Sequence, residues 1–334
     1  MSRHDNPAVE APAVRPEHVV VAIPTLNEAD HIEACLLSLI GSDPFMTDVR
    51  VVVADGGSRD ATRKIVTGLM ARYPGLALID NPERLQSAAI NRVAKAEAGP
   101  DHIYLVRCDA HAAYPPGYVQ RVAESLARQP EAASVATSMD ATGARCFQTA
   151  AAWIVDTPLG SGGSAHRGGR RSGWIDHAHH AGFRLDWFRR IGGYDPTFSH
   201  NEDAEYDHRL ALAGGRVWLD ADIRMDYAMR PTPSGLWRQY RNYGRGRART
   251  ILKHAMRPRL RQVIPVINLV GMILALVAAG MGIAAEDTIL ARVNNRAITQ
   301  QDFEREFEQL SPQQQAAVRQ RPAEFLQAIV REEI

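Results

Sequence analysis

The chain is short of three things that would each have settled its chemistry early. It has only three cysteines in 334 residues, Cys35, Cys108 and Cys146, with no Cys-x-x-Cys pair among them. An odd, scattered set of this kind excludes a disulfide framework and a zinc knuckle and suits a reducing compartment. Net charge is nearly absent: 39 Lys and Arg stand against 38 Asp and Glu, for +1. Nothing in that balance points to nucleic acid or to an acidic partner. Glycine is missing where nucleotide loops need it. The turn after the first apolar run, "HVVVAIP", holds Pro24 and no glycine, so the backbone cannot approach a pyrophosphate as a dinucleotide site requires, although Asp55 stands where that site's carboxylate would. No GxxxxGK[ST] phosphate loop occurs, and the basic, glycine-rich loop of a nucleotidyltransferase is absent too.

What is present is a large apolar content, 45%, with 23% charged residues, enough to bury a full core and to make about two domains. The first 17 residues are polar and proline-bearing and are expected to be a disordered tail without a signal peptide. From His18 the pattern alternates. "HVVVAIP" (18 to 24) reads as a buried parallel strand, and Asn27 caps a helix with Ile32, Cys35, Leu36, Leu39 and Ile40 on one face. "VRVVVAD" (49 to 55) is the next strand, with Ser58 capping a helix that bears Ile65, Val66, Leu69 and Met70. "LALID" (76 to 80), a helix over 85 to 96 and "HIYLVRCDA" (102 to 110) follow. This order predicts an α/β fold, a mostly parallel, doubly wound, Rossmann-like sheet with its ligands at the carboxyl ends of the strands.

Those ends are polar: Pro24, Thr25, Asn27 and Glu28 after the first strand, Asp55 to Ser58 after the second, Asp109 and His111 after the fourth. In an extended segment Asp109 and His111 point the same way. "VVVAIPTLNEADHIEACLLSL", "VVVADGGSRDATRKIV", "LVRCDAHAAYPPGYV" and "AGFRLDWFRRIGGYDPTFSHNEDAEYDHRLALAGGRVW", in that order, resemble the family 2 inverting glycosyltransferases of the GT-A fold. More narrowly they are similar to the succinoglycan-type glucosyltransferases of exopolysaccharide assembly, over about residues 18 to 280.

The resemblance implies a UDP-sugar donor and a polyprenyl-diphosphate-linked acceptor. Asp55 matches the aspartate that accepts from the uracil ring, with Pro24, Thr25, Asn27, Glu28 and Arg84 on the donor pocket. Asp109 matches the first carboxylate of an Asp-x-Asp motif, and His111 replaces the second. The softer imidazole favours Mn²⁺ over Mg²⁺. Asp203, beside Glu202 in "HNEDAEYDHRL", matches the catalytic base, with a pKa expected to be raised by burial next to Glu202. An acidic helix start explains the same pair without catalysis. Arg184 is assigned to an acceptor phosphate. "DHAHH" (176 to 180) has the look of a metal cluster and equally of a polar loop lining the acceptor cleft; the glycine-rich 158 to 173 suits a lid.

"LWRQYRNYGRGRAR" (236 to 249) lacks the Gln-x-x-Arg-Trp spacing of processive relatives, which implies single-sugar transfer. Its arginines suit lipid headgroups, with Arg245 or Arg247 on a diphosphate. The uncharged 263 to 285 follows a basic stretch (251 to 262) and precedes Glu286 and Asp287, so it is expected to span the cytoplasmic membrane with the 18 to 250 domain on the cytoplasmic face. Residues 286 to 334 resemble the start of periplasmic parvulin-type peptidyl-prolyl isomerases, a strand then helices with Phe303, Phe307 and Leu310 in a core. Two rival readings stay open here: a periplasmic folding or secretion factor with an inactive α/β module, and a nucleotidyltransferase.

Overall fold

The computed structural model describes residues 13–41, 43–157, 160, 164–258, 260–280, 289–293 and 296–332. Two compact units divide the chain at 257/258. In the first, strands β1 (Val19–Thr25), β2 (Arg50–Asp55), β3 (Leu76–Asp80) and β4 (Tyr104–Arg107) pair in parallel in the order β3-β2-β1-β4. β1 is buried on both faces: Val19, Val21 and Ile23 enter one apolar cluster, Val20 and Ala22 the other. That is why the run reads as continuous rather than alternating. Helices α1 (Ile32–Ile40), α2 (Thr62–Met70), α3 (Gln86–Ala96), α4 (Tyr118–Arg128) and α5 (Cys146–Val155) belong to this part of the chain, and α1 buries Ile32, Cys35, Leu36, Leu39 and Ile40 as its spacing predicts.

The sheet then departs from the expected parallel order. Beyond β4 it continues β7-β5-β8-β6, with β5 (Ala132–Thr142), β6 (Gly173–Ile175), β7 (His180–Arg184) and β8 (Arg216–Ala228). β7 runs antiparallel to both β4 and β5, so the sheet is mixed. Its register pairs Val106 with Gly182 and Tyr104 with Arg184. The segment entering β7 therefore arrives at the carboxyl end of β4, and Arg184 is carried to the opposite end. Helix α6 (Leu185–Ile191) follows, then α7 (Glu202–Leu212) and the long α8 (Pro233–Lys253).

Local details also differ from expectation. Residues 13–17 are described, with a 3₁₀ turn over Pro16–His18, while 1–12 lie outside the described residues. Neither Asn27 nor Ser58 caps a helix: α1 begins at Ile32 and α2 at Thr62. Instead Asn27 Oδ1 accepts from the Arg59 N–H (2.9 Å), and the Asn27 N–H donates to Ser58 Oγ (2.8 Å), which laces the first two loops together. The strand carrying Asp109 stops at Arg107; a turn closed by the Ala112 N–H on the Asp109 carbonyl (3.1 Å) places Asp109 and His111 at different corners rather than on one strand face.

The second unit holds helix α9 (Leu260–Gly280), a hairpin of β9 (Ile289–Val293) with β10 (Arg296–Thr299), and helices α10 (Gln300–Glu308), α11 (Pro312–Gln320) and α12 (Pro322–Glu332). Phe303 meets Phe325 edge to face at 5.2 Å in this small core. The expected transmembrane span is corrected here: among the described residues no helix is long and apolar enough to cross a membrane. The helix opens with Leu260, Arg261 and Gln262, so its uncharged part beyond Arg261 and Gln262, 263–280, rises about 27 Å, short of a hydrocarbon core of roughly 30 Å. Residues 281–285 of that expected span lie outside the described residues.

Candidate active site

The site is organised by a residue that sequence reading passed over. Arg107, the last residue of β4, is 4% exposed. Burying a guanidinium is costly unless anions surround it, and here they do. Its Nη1 donates to Asp203 Oδ1 (2.9 Å) and to the Tyr194 hydroxyl (3.1 Å); Nη2 lies 3.5 Å from Glu202 and Nε 3.6 Å from Asp109. A charge inside an otherwise apolar strand was the signal available in "YLVRC".

Asp203 sits in the first turn of α7 and accepts at Oδ1 from Arg107 and from Tyr194 Oη (2.5 Å). Tyr194 is fixed through its backbone, which exchanges hydrogen bonds with the Asn91 amide at 2.7 and 2.8 Å. At Oδ2 the neighbour is His179 Nδ1, 3.4 Å away. Burial alone would raise the Asp203 pKa, but Arg107 and His179 outweigh it and hold it well below the usual carboxylate range. The expected upward shift falls instead on Glu202, raised by burial and then by the Asp203 charge. The two neighbouring carboxylates are thus shifted in opposite directions, Asp203 down and Glu202 up.

Asp109 completes the cluster. Gln86 Nε2 donates to its Oδ1 (3.0 Å) and His179 Nε2 lies 3.4 Å from Oδ2. Burial opposes ionisation, but His179 and Arg107 keep it ionised far below its ordinary pKa. His179, pulled down by burial and Arg107 and up by the two aspartates, ends pushed up to about 9. His111 Nδ1 lies 3.4 Å from Glu28 Oε1, which raises the imidazole pKa against the effect of burial. Among the described residues no group of three or more His, Cys, Asp and Glu is arranged to hold a metal ion. "DHAHH" is not a metal cluster: His177 and His180 both spend a ring nitrogen on Asp207, at 2.6 and 2.7 Å.

The donor-side loops meet the same edge. Thr25 is buried and its carbonyl takes the Gly56 N–H (2.8 Å), with Pro24 half-buried beside it. Asp55 is 1% exposed and accepts from the Gly57 and Ser58 N–H groups (3.0 Å each), Ser58 Oγ (2.5 Å) and Arg63 Nη1 (2.8 Å). Burial would raise its pKa, yet these bonds lower it. Its lone pairs are largely committed, so in this structure the carboxylate shapes the loop rather than standing open to a uracil ring. Arg84 lies over that loop, its Nη2 3.5 Å from where a Gly57 Cβ would be. Asn27, Arg84 and Asn201 all take positive φ (55°, 59° and 63°), backbone strain gathered at the site's loops.

Arg184 is not at the site. Its guanidinium caps the carboxyl end of α4, donating to the carbonyls of Leu126 (2.5 Å) and Gln129 (3.2 Å), with Nε on Ala132 (2.9 Å). The antiparallel course of β7 is the reason. Arg245 and Arg247 flank Gly246, and α8 packs there so tightly that a Cβ would lie 2.3 Å from the His200 carbonyl oxygen, just before Glu202. Of the glycine-rich segment expected as a lid, 158–159 and 161–163 lie outside the described residues.

Known proteins share this architecture. The glycosyl transferase family 2 model matches residues 20–192. The succinoglycan biosynthesis protein ExoA of Rhizobium meliloti (strain 1021) is 47% identical over 248 residues, 74% of each chain. A dolichyl N-acetyl-alpha-D-glucosaminyl phosphate 3-beta-D-2,3-diacetamido-2,3-dideoxy-beta-D-glucuronosyltransferase of Methanococcus voltae is 22% identical, covering 70% of this chain and 74% of its own. Among solved structures, a Pyrobaculum calidifontis mannosyltransferase, PcManGT, in complex with GDP-Man and Mn²⁺, superposes with a TM-score of 0.60 at 22% identity over 83% of this chain and 78% of its own, which shows the GT-A fold. None of these likenesses carries the isomerase resemblance of residues 286 to 334. With its mixed α/β sheet and this carboxylate cluster at the strand ends, the chain belongs to glycosyl transferase family 2 and is a glycosyltransferase.

Proposed function

We propose that this glycosyltransferase moves a hexose, glucose from UDP-glucose first among the options, onto a polyprenyl-diphosphate-linked sugar in exopolysaccharide assembly, one sugar per encounter and with inversion. The observation that carries this reading is the meeting of Asp109 and Asp203 around Arg107 at the carboxyl edge of the sheet. The name of the 47% identical relative supports the pathway. Asp203 would take the proton from the acceptor hydroxyl as that oxygen attacks the anomeric carbon, and the opposite shifts leave Asp203 the more readily ionised member of the pair. Being held low, Asp203 is ionised at any working pH and gives up some basicity in return.

A divalent cation suits the chemistry of the donor side, where Asp109 and His111 stand close enough across the turn to feel each other's charge. Asp109 is an ionised, partly exposed carboxylate, and His111, half-exposed, brings an imidazole with Glu28 beside it. One carboxylate and one imidazole leave open positions of the kind that diphosphate oxygens fill. Asp109 and His111 would hold the ion, and its charge would neutralise the departing UDP. Calorimetric titration of UDP is expected to show tightest binding in Mn²⁺, weaker binding in Mg²⁺ and least in EDTA. Asp109→Ala and His111→Ala are each expected to remove most of the metal-dependent gain. Equal affinity in EDTA and Mn²⁺ would dismiss the metal.

We place the enzyme on the cytoplasmic face of the cytoplasmic membrane. Two features support that placement. Helix α9 exposes Ile264, Ile267, Met272, Leu274 and Leu276, with Leu276 at 69%. Helix α8 exposes Trp237 (65%) with Arg241 over its ring at 5.4 Å, an aromatic-cationic pair suited to an anionic headgroup layer. Full-length protein is expected to sediment with phosphatidylglycerol vesicles, and less so after Trp237→Ala. Recovery in the supernatant with both proteins would rule the placement out.

A further inference from the structure

The segment around His179 is built as a bracket. Asp207 lies four residues beyond Asp203 on α7, on the same helical face. It is 5% exposed and accepts from His177 Nδ1 (2.6 Å) and His180 Nε2 (2.7 Å); His180 is fully buried. The residues on either side of the Ala178-His179 pair are therefore tied to the helix that carries Asp203. From His180 onward β7 is locked to β4, Gly182 against Val106. Between these ties His179 reaches Asp203 Oδ2 with Nδ1 and Asp109 Oδ2 with Nε2, each at 3.4 Å.

The two oxygens of Asp203 are unequally occupied. Oδ1 takes Arg107 and Tyr194, whereas Oδ2 has His179 as its neighbour. Oδ2 is thus the oxygen that neither Arg107 nor Tyr194 holds, and the imidazole sets where it points. We propose that His179, held by the Asp207 bracket, is a positioning residue that fixes Asp203 Oδ2 relative to Asp109 and so aligns the acceptor hydroxyl with the donor. The inference rests on the reading of Asp203 as the base given above. It gives "DHAHH" a purpose beyond those of a metal cluster or of a polar loop that only lines the acceptor cleft. Two histidines anchor the segment and the third aims a carboxylate.

The test uses the full chain, with UDP-glucose and a polyprenyl-diphosphate-linked acceptor as substrates, UDP release as the rate and UDP calorimetry as the binding readout. His179→Ala is expected to lower kcat by about 100-fold, the scale of a misplaced reacting group. The KM for UDP-glucose and the UDP affinity should stay close to those of the parent. His179→Gln, which keeps a donor of similar reach, is expected to recover much of the loss. Asp207→Asn is expected to lower kcat in the same direction, again with UDP affinity kept. A His179→Ala enzyme at parental kcat, with Asp203→Asn inactive alongside, overturns the positioning role alone. Loss of UDP affinity and thermal stability in step with kcat in both His179 variants also overturns it, by making His179 a structural part of the donor pocket. Full turnover in Asp203→Asn overturns the base and the positioning role together.

Discussion

Asparagine in place of Asp203 is expected to lower turnover by about 10²- to 10⁴-fold, the range a positioned general base supplies. UDP affinity should be unchanged. The substitution suits the question because the amide oxygen can still accept from Arg107 and Tyr194, which donate to Oδ1 at 2.9 and 2.5 Å. Geometry is therefore conserved while the ability to take a proton is removed. Under the function proposed above, the donor would be held by the Asp109 turn and the loops that carry Asp55 and Glu28. Stopped assays of UDP release beside UDP calorimetry separate the two, and turnover near the parental rate would take the base role away from Asp203.

The second large effect concerns stability. Arg107→Met is expected to cost about 3 to 5 kcal/mol, the usual penalty for breaking a buried ion pair from one side. Methionine fills a similar volume, but Asp203 and Asp109 lose the cation that keeps them ionised in a buried site. For a domain of this size that is about 6 to 20 °C of melting temperature. The Arg107 side chain is 3% exposed, so water does little to screen the loss. Pairing the change with Asp203→Asn should return part of the stability, because one of the stranded charges is removed with it. Thermal unfolding of the two variants decides the matter: equal melting points for parent and Arg107→Met would mean the network is slack.

The first half of the fold was legible because each strand carries its own signature. "LALID" gives β3 to the residue, and "VVVAIP" announces a strand covered on both faces. Asp109 and Asp203 were reachable through motif resemblance, since their segments keep family order. What could not be read was the antiparallel strand driven between β4 and β5, because "HAGFR" has neither the length nor the alternation of an obvious strand. That insertion misled the reading of Arg184, whose motif neighbours do approach the site while its own side chain caps α4. It also hid His179. The sign of the Asp203 shift failed for a related reason: burial was visible in the pattern, whereas the cation facing it came from a strand 96 residues away in sequence. The overestimated membrane span came from counting uncharged residues without knowing where the helix would begin and end.

The placement of β7 has a consequence for how the enzyme comes into being. During synthesis the parallel half, β1 to β4, is complete some 75 residues before β7 is made, and domains fold largely as they emerge. Until His180–Arg184 arrives, the Tyr104–Arg107 strand is an unpaired edge with a guanidinium at its tip and no carboxylate from α7 to neutralise it. An exposed edge of this kind is a template for pairing with the wrong chain. The loops after β1 and β2 can form early, but the carboxylate cluster around Arg107 is complete only after β7 has been inserted with His179 and the later helix α7 has brought Asp203. Quality control of this fold and assembly of its chemistry depend on the same late elements.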